Sequence, residues 1–366
     1  MIDVVEALCG FEERAACSDA ERRAALWLHD DLVKRGYVAW VETIWVRPQW
    51  AWSLFWHAAL GVAASLVATS AWIPAAIASG LLALSYALEV AGFGGLLRRG
   101  FVRRATQLVI VEPPQEDRID LFVTASTDAP RSGVIFAERW RRFGTRLRPG
   151  PLWWVVILLL IIAVVAGIRG GGADGSVIGA VQFVPTLILL VAGAIGLDIA
   201  LAKPSPGASD DASGVALALA LHEELTNRPP RRLSAGLILA GAGDLFALGL
   251  QHYLRSEKRT PEKTVLLGIG PSGSGTPAWT STHPQLIAAA GEARRVRLAR
   301  PGMGRRLPAL WVRAVGPRGV APRARTEHDT PGAVDLAALD AVYDLALASV
   351  DALDSDLSRA KSTNQS

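Results

Sequence analysis

The chain has 366 residues, 51% of them hydrophobic and 20% charged, and 38 Lys+Arg against 34 Asp+Glu leave a net charge of +4. A mean hydropathy of +0.28 excludes a disordered chain, and 35 Gly and 21 Pro without a period exclude collagen. Two cysteines, Cys9 and Cys17, exclude a disulfide scaffold and any cluster of paired CxxC motifs.

Ala20–Arg35 carries apolar residues at helical spacing and stops at Gly36, after which Val38–Val46 (VAWVETIWV) reads as a strand. From Pro48 to Leu88 there is no Lys, Arg, Asp or Glu, enough chain for two membrane spans, Ala51–Ser70 and Ile73–Val90. Strand-like runs follow at Gln107–Glu112 and Asp120–Ser126. A second apolar pair, Leu152–Ile168 and Val177–Leu197, flanks the loop Arg169–Ser176. Trp52, Trp56, Trp72, Trp153 and Trp154 lie near the ends of these runs, where an indole suits the membrane interface. Beyond them, strand patterns at Ala235–Ala242, Thr264–Gly270 and Leu310–Val315 alternate with helical patterns at Ser213–Thr226, Leu245–Ser256, His283–Ala293 and Val334–Leu353. This alternation predicts an α/β domain with a mostly parallel central sheet and helices on both faces, plus four transmembrane helices as two inserted hairpins.

The segments divide accordingly. Residues 1–47, 98–150 and 203–354 form three parts of one polar domain; 48–97 and 151–202 are the hairpins, and 355–366 is a polar, frayed tail. Arg98, Arg99, Arg103 and Arg104 follow the first hairpin. Arg139, Arg141, Arg142, Arg146 and Arg148 precede the second, and Lys203 follows it. The positive-inside rule therefore places the polar domain in the cytoplasm of a multi-pass membrane protein.

Some motif-like features reduce to structure. GIGPSG, Gly268–Gly273, matches a dinucleotide fingerprint in letters, but the turn-like SGTPAWTSTHP follows it and no acidic residue lies at the required distance. The cluster Arg294, Arg295, Arg297, Arg300, Arg305 and Arg306 lacks the interleaved aromatics of single-strand binders, so it reads as a solvated or lipid-facing surface and not a nucleic-acid site. His222-Glu223-Glu224 lies on an amphipathic helix and reads as a surface face.

The segment with chemistry in it is GASDDASGVALALALHEELTNRPP, Gly207–Pro230. Two aspartates ahead of Ser213-Gly214 and an apolar helix resemble the G-A-D-D-N-A-S-G-V pattern of the family-28 zinc metallopeptidases, the aminopeptidase and glutamate-carboxypeptidase group. Asp329–Leu339 (DTPGAVDLAAL) resembles the family's last motif, and the opening helix and strand resemble its lead-in. The resemblance implies that Asp210 stands where an aspartate bridges two zinc ions. It also marks departures. Ser126 stands in place of a ligand histidine, with its supporting Asp128 kept; Gly243 stands in place of the general-base glutamate. Asp244 is a shortened ligand glutamate, Gly270 replaces a ligand aspartate, and Arg325 replaces the final ligand histidine; His328 could serve only with a shifted backbone.

Asp210 and Asp244 are thus vestigial metal candidates, with His328 as a third. Two carboxylates do not complete a zinc site, and glycine cannot act as a base. An arginine at 325 would repel a dication but could pair with Asp210 or Asp244. The expectation is a catalytically inactive, membrane-held binding or scaffold protein without a cofactor. Its partners would be the lipid bilayer and a peptide, a lipid headgroup or a membrane protein. The alternative is an active membrane-bound metallopeptidase with an atypical zinc site.

Overall fold

A computed structural model describes residues 1–114, 118–137, 139–140, 150–257, 259–296, 307–317 and 319–363. The packing divides the chain into two units, one of Met1–Pro48, Arg103–Ser132 and Lys203–Ser366, the other of Gln49–Val102 and Gly133–Ala202.

The first unit is built on an eight-stranded sheet: β1 (Ala39–Val46), β2 (Arg104–Val111), β3 (Ile119–Ser126), β4 (Leu233–Ala240), β5 (Thr264–Ile269), β6 (Thr276–Ser281), β7 (Arg294–Arg295) and β8 (Ala309–Val315). The spatial order is β1-β2-β4-β3-β5-β8-β6-β7. Strands β4, β3, β5 and β8 run parallel, whereas β1, β2 and β6 join antiparallel. The sheet is therefore mixed, not mostly parallel as the alternation suggested. Hairpin-like returns at both edges, including the unexpected β6, explain the difference. The stretch Thr276–Ser281 reads as turn chemistry, yet Ala278, Trp279, Thr280 and Ser281 are buried, and the Trp279 indole donates to Ala293 O at 2.8 Å.

Alternate side chains point to opposite faces of each strand. Leu121, Val123 and Ala125 meet one core, into which α1 (Ile2–Cys9), α2 (Asp19–Lys34) and a later helix, Ser213–Asn227, pack. Phe122 turns to the other face with Leu108, Ile110 and Ile238.

In the second unit α3 (Trp50–Val67), α4 (Trp72–Val90), α5 (Pro151–Gly170) and α6 (Ser176–Leu201) are long and apolar enough to cross a membrane. At 1.5 Å per residue they span roughly 27–39 Å, against about 30 Å of hydrocarbon. Leu66, Ile77, Leu81, Val164, Phe183 and Leu190 face outward, as in helices whose solvent is not water. Helix α3 packs chiefly on α6 and α4 on α5, so each hairpin is completed by the other. Glycine permits the close approach: a Cβ on Gly196 would lie 2.9 Å from Phe55 N and 3.1 Å from Ala51 O. Several buried polar groups here pair with one another, whereas Ser79 Oγ is buried without a hydrogen-bond partner among the described residues. Ser53 Oγ donates to Glu89 Oε2 at 2.5 Å, Arg98 pairs with Glu89 at 3.3 Å, and His57 bonds Ser53 O and Ser85 Oγ.

The first unit continues with α7 (Ser213–Asn227), α8 (Leu248–Ser256), α9 (Pro284–Ala289) and α10 (Leu336–Thr363). Helix α8 covers the Phe122 face through Leu250 and Tyr253, and α10 covers the other with Leu339, Val342, Ala346 and Val350. Helix α10 runs through the stretch from Ser355 that reads as a frayed tail, because Leu353 and Leu357 keep the apolar stripe going. Of the basic residues singled out above, Arg141, Arg142, Arg146, Arg148, Arg297, Arg300, Arg305 and Arg306 lie outside the described residues. Arg295 donates to Ser281 O and lies 5.5 Å from the Trp279 ring centre.

Candidate functional site

Strands β3, β4 and β5 end side by side, and the turns leaving their carboxyl ends meet the Gly207–Ser213 segment and the Arg323–Asp329 loop. This edge is where open α/β sheets hold ligands. Asp329, 1% exposed, organises it. Its carboxylate accepts the N–H of Ser209 at 2.7 Å and of Asp210 at 3.1 Å. Ser213 Oγ donates back to Ser209 O, and the Ser272 N–H donates to Ser213 Oγ, tying the start of α7 to the turn after β5. The Asp210-Asp211 peptide is cis. Gly214 lets the helix approach this closely, since a Cβ there would sit 3.1 Å from the carbonyls of Ile269 and Gly270. The GIGPSG run is accordingly the end of β5 and a tight turn, with Ser272 Oγ donating to Gly270 O.

The structure brings together six of the positions picked from sequence: Ser126, Asp128, Asp210, Gly243, Asp244 and Arg325. Asp128, 1% exposed, accepts the N–H of Gly243 at 2.5 Å and of Asp244 at 3.0 Å. A side chain at 243 has no space: a Cβ would overlap Ser126 Oγ and Cβ and lie 2.9 Å from Asp128 Oδ1. Ser126 thus fills the volume that a base at 243 would need. Arg325 reaches across the site, with Nη2 bonded to Asp244 Oδ1 and Nε 4.0 Å from Asp210 Oδ2. Its side chain is 18% exposed. Burial alone would lower its pKa, but the carboxylates of Asp244 and Asp210 outweigh that and raise it. Arg325 holds this position with φ of 62°, a left-handed backbone that costs a non-glycine residue roughly 1–2 kcal/mol. Gly270 contributes only backbone, donating its N–H to Val312 O. His328 is exposed.

Two charged residues at this edge have no motif to announce them. Glu21, in the first turn of α2, is fully buried and accepts from the N–H of Ala242 (2.7 Å), the N–H of Cys17 (2.8 Å) and Thr106 Oγ1 (2.9 Å). Burial, with Asp128 adding to it, pushes its carboxyl up to about 8. Arg14, 2% exposed, donates from Nη2 to Gly207 O at 3.4 Å, and burial lowers its pKa while Cys9, Asp128, Asp211 and Glu21 oppose the shift. Both lie in the opening stretch that resembles the family's lead-in, and that resemblance gives neither of them a role.

The zinc that the resemblance implies does not fit these residues. A catalytic zinc needs about three protein ligands with an open position. The side-chain donors left at its place are Asp210 and Asp244, and a guanidinium already lies against both. Among the described residues no group of three His, Cys, Asp or Glu side chains is placed to hold a metal.

No protein-family model matches the chain, and no curated protein does. Solved structures do. A glutaminyl cyclase from Bacteroides thetaiotaomicron, bound to N-acetylhistamine, aligns with a TM-score of 0.56 at 12% identity, covering 96% of each chain. The zinc aminopeptidase BSAP from Bacillus subtilis aligns at 0.55 and 13% identity over 95% of this chain and 93% of its own. A leucine aminopeptidase precursor from Bacteroides thetaiotaomicron gives 0.54 and 13% over 96% and 95%. At this identity the likeness shows the fold: the first unit has the α/β architecture of zinc aminopeptidases and glutaminyl cyclases. The peptidase-like domain expected from the motifs is therefore present.

Proposed function

We propose that this chain is a membrane-anchored, degenerate member of the family-28 metallopeptidase group, whose peptidase-like domain binds or scaffolds at the membrane instead of hydrolysing peptides. The observation that carries this reading is Arg325, whose guanidinium lies against Asp210 and Asp244. A fixed monovalent cation there supplies neither the Lewis acidity nor the bound hydroxide that such hydrolysis requires. Gly243, with Ser126 in the adjacent volume, removes the base as well.

The four apolar helices are read as two transmembrane hairpins, 48–97 and 151–202, with the peptidase-like segments on the cytoplasmic side. The partners are then the bilayer and a peptide, a lipid headgroup or a membrane protein, and not nucleic acid. Elemental analysis of the full chain, purified in detergent without chelator, tests the central point. The expected result is less than about 0.1 equivalent of zinc, with no hydrolysis of aminoacyl amides and no cyclisation of N-terminal glutamine. Two tightly bound zinc ions would overturn this reading, and an amidase activity lost in Asp210→Ala would establish an active metallopeptidase with an atypical metal site instead. A periplasmic signal from a reporter fused after Ser366 would overturn the orientation.

A further inference from the structure

The sheet of the first unit has two unlike edges. At one, β7 is only two residues long and both are arginines, Arg294 and Arg295. Short strands and positive charge are devices that keep other chains from pairing with a sheet. At the other edge lies β1, paired with β2 in unbroken register from Ala39–Val111 to Val46–Arg104. It contains no lysine, no proline and no bulge, and its one charged residue is Glu42.

The neighbouring strands fix which backbone groups of β1 are open. Gly241 N–H donates to Gln107 O, so Gln107 turns its peptide groups toward β4. Successive residues of a strand alternate in this respect. Thr106, Leu108 and Ile110 therefore turn toward β1, where they meet Ile44, Glu42 and Trp40. The N–H and C=O groups of Val41, Thr43 and Trp45 point the other way, out of the sheet, and no described residue bonds to them. Ala39 N–H is taken by Tyr37 O at 3.1 Å, which closes the row on that side. What remains is a ladder of donors and acceptors at the spacing of a strand.

Exposed apolar side chains flank this ladder. Helix α2 packs on β1 and β2, and α7 on β3, β4 and β5. Arg35, just after α2, bonds Glu223 of α7 at 3.0 Å, so the opposite flank of α2 faces the open edge. Leu26 and Val33 lie on that flank, about half a turn round from Arg35, and are 40% and 48% exposed. Trp45, on the same face of the strand, is 58% exposed, and Trp40 is exposed on the other face. A strand added about 4.8 Å outside β1 would lie beside these groups.

We propose that β1 is a docking edge for an extended segment of a partner protein, free of proline and alternating apolar with polar side chains, which joins the sheet as one more strand. The proposal rests on the reading of this chain as a binding protein and gives its peptide partner a surface and a form. Val41, Thr43 and Trp45 hold the main chain of the segment, and its apolar side chains cover Leu26, Val33 and Trp45. A second copy of this chain is a poorer occupant. The chain passes between its two units after β1, before β2, after β3 and before the Gly207–Ser213 segment, all at one end of the sheet. Antiparallel pairing of two β1 strands would point those passages in opposite directions, whereas anchoring in one bilayer turns them the same way.

Amide hydrogen exchange of the full chain in detergent tests this. The probe is a short peptide of alternating valine and threonine with a lysine at each end, methylated on every second nitrogen so that one edge stays free and it cannot stack on itself. Without peptide, the amides of Val41, Thr43 and Trp45 should exchange at least about tenfold faster than those of Glu42 and Ile44. Saturating peptide should slow the first three at least about tenfold, and the same peptide methylated on every nitrogen should not. Thr43→Pro removes one outward N–H and leaves the ladder to β2 intact, so it should weaken the peptide at least about tenfold with little change in melting temperature. Exchange at Val41, Thr43 and Trp45 that the peptide leaves unchanged would overturn the proposal. So would protection of those amides that rises with protein concentration alone, which would assign the edge to a second copy. The exchange is read in the unaltered protein, so misfolding of the variant does not obscure the answer. Zinc content and amidase activity do not enter it: a failure here leaves the reading of Arg325 standing, and an active metallopeptidase would leave this result unchanged.

Discussion

Removing the cation at 325 is the most direct perturbation of the candidate site. In Arg325→Ala, Asp210 and Asp244 lose the guanidinium that lies between them. Two unit charges 4.0 Å apart, the Arg325–Asp210 separation, attract by about 4 kcal/mol at an effective dielectric of roughly 20. Removing one partner of a buried pair costs about 3–5 kcal/mol, because the remaining charge stays desolvated. With the arginine 18% exposed, some screening applies, and a loss of about 3 kcal/mol is expected. For a unit of roughly 240 residues that lowers the melting temperature by about 6–12 °C. Thermal unfolding of the full chain in detergent measures this, and hydrogen exchange should localise the loosening to the Gly207–Ser213 segment and the turn after β4. Arg325→Lys, which keeps the charge but not the planar fork, should fall between. Arg325→Gly should be milder than Arg325→Ala by about 1 kcal/mol, since glycine relieves the left-handed backbone. Micromolar zinc should leave both Arg325→Ala and wild type unmoved, because two carboxylates do not complete a zinc site. An Arg325→Ala protein melting within about 2 °C of wild type, with unchanged exchange, would refute the view that this cation holds the site together.

Gly243→Ala should cost about 2 kcal/mol through overlap with Ser126, and Ser126→Gly in the same chain should recover much of it; a double-mutant cycle from thermal melts reads the coupling. Asp329→Ala leaves the N–H groups of Ser209 and Asp210 without their carboxylate acceptor, and should cost about 3 kcal/mol with faster exchange at those two amides. His222 has a folded pKa of about 4 against about 6.5 unfolded. The unfolded chain therefore binds the extra proton between these values, and stability falls by about 3 kcal/mol as the pH drops from 6.5 to 4. His222→Phe should flatten that part of the stability-against-pH curve.

The apolar helices were legible because their signal is additive: long uncharged runs need no partner to be recognised. The pairing of Arg325 with an aspartate was legible too, because the motif alignment put a cation where a ligand belonged. Packing was not. Nothing in Gly243 and Ser126, far apart in sequence, says that one side chain occupies the other's volume. Arg14 and Glu21 reach the site from an N-terminal segment without a motif, and only the turn of chain at Ser18 and the antiparallel β1–β2 edge bring them there. His222 was misplaced on the surface because its neighbours are glutamates, although a helix turns adjacent residues in different directions. Glu223 is exposed as its charge suggests; His222 is buried. The edge strand β6 was missed for a similar reason, its Gly, Thr and Pro neighbours suggesting a turn while Trp279 supplied the burial.

The order of strands has a consequence for biosynthesis. Strand β4 lies between β2 and β3, so the first three strands to leave the ribosome cannot complete their pairing with one another. Strand β3 in particular has neighbours only in β4 and β5, both encoded beyond residue 232. The nascent chain must therefore deliver all four apolar helices before its central sheet can close. Ahead of that moment β3 is an open edge of Leu, Phe and Val, the kind of surface that chaperones shield. Assembly of this protein is timed by the arrival of one strand, and a pause between Lys203 and Ala240 would lengthen the exposure.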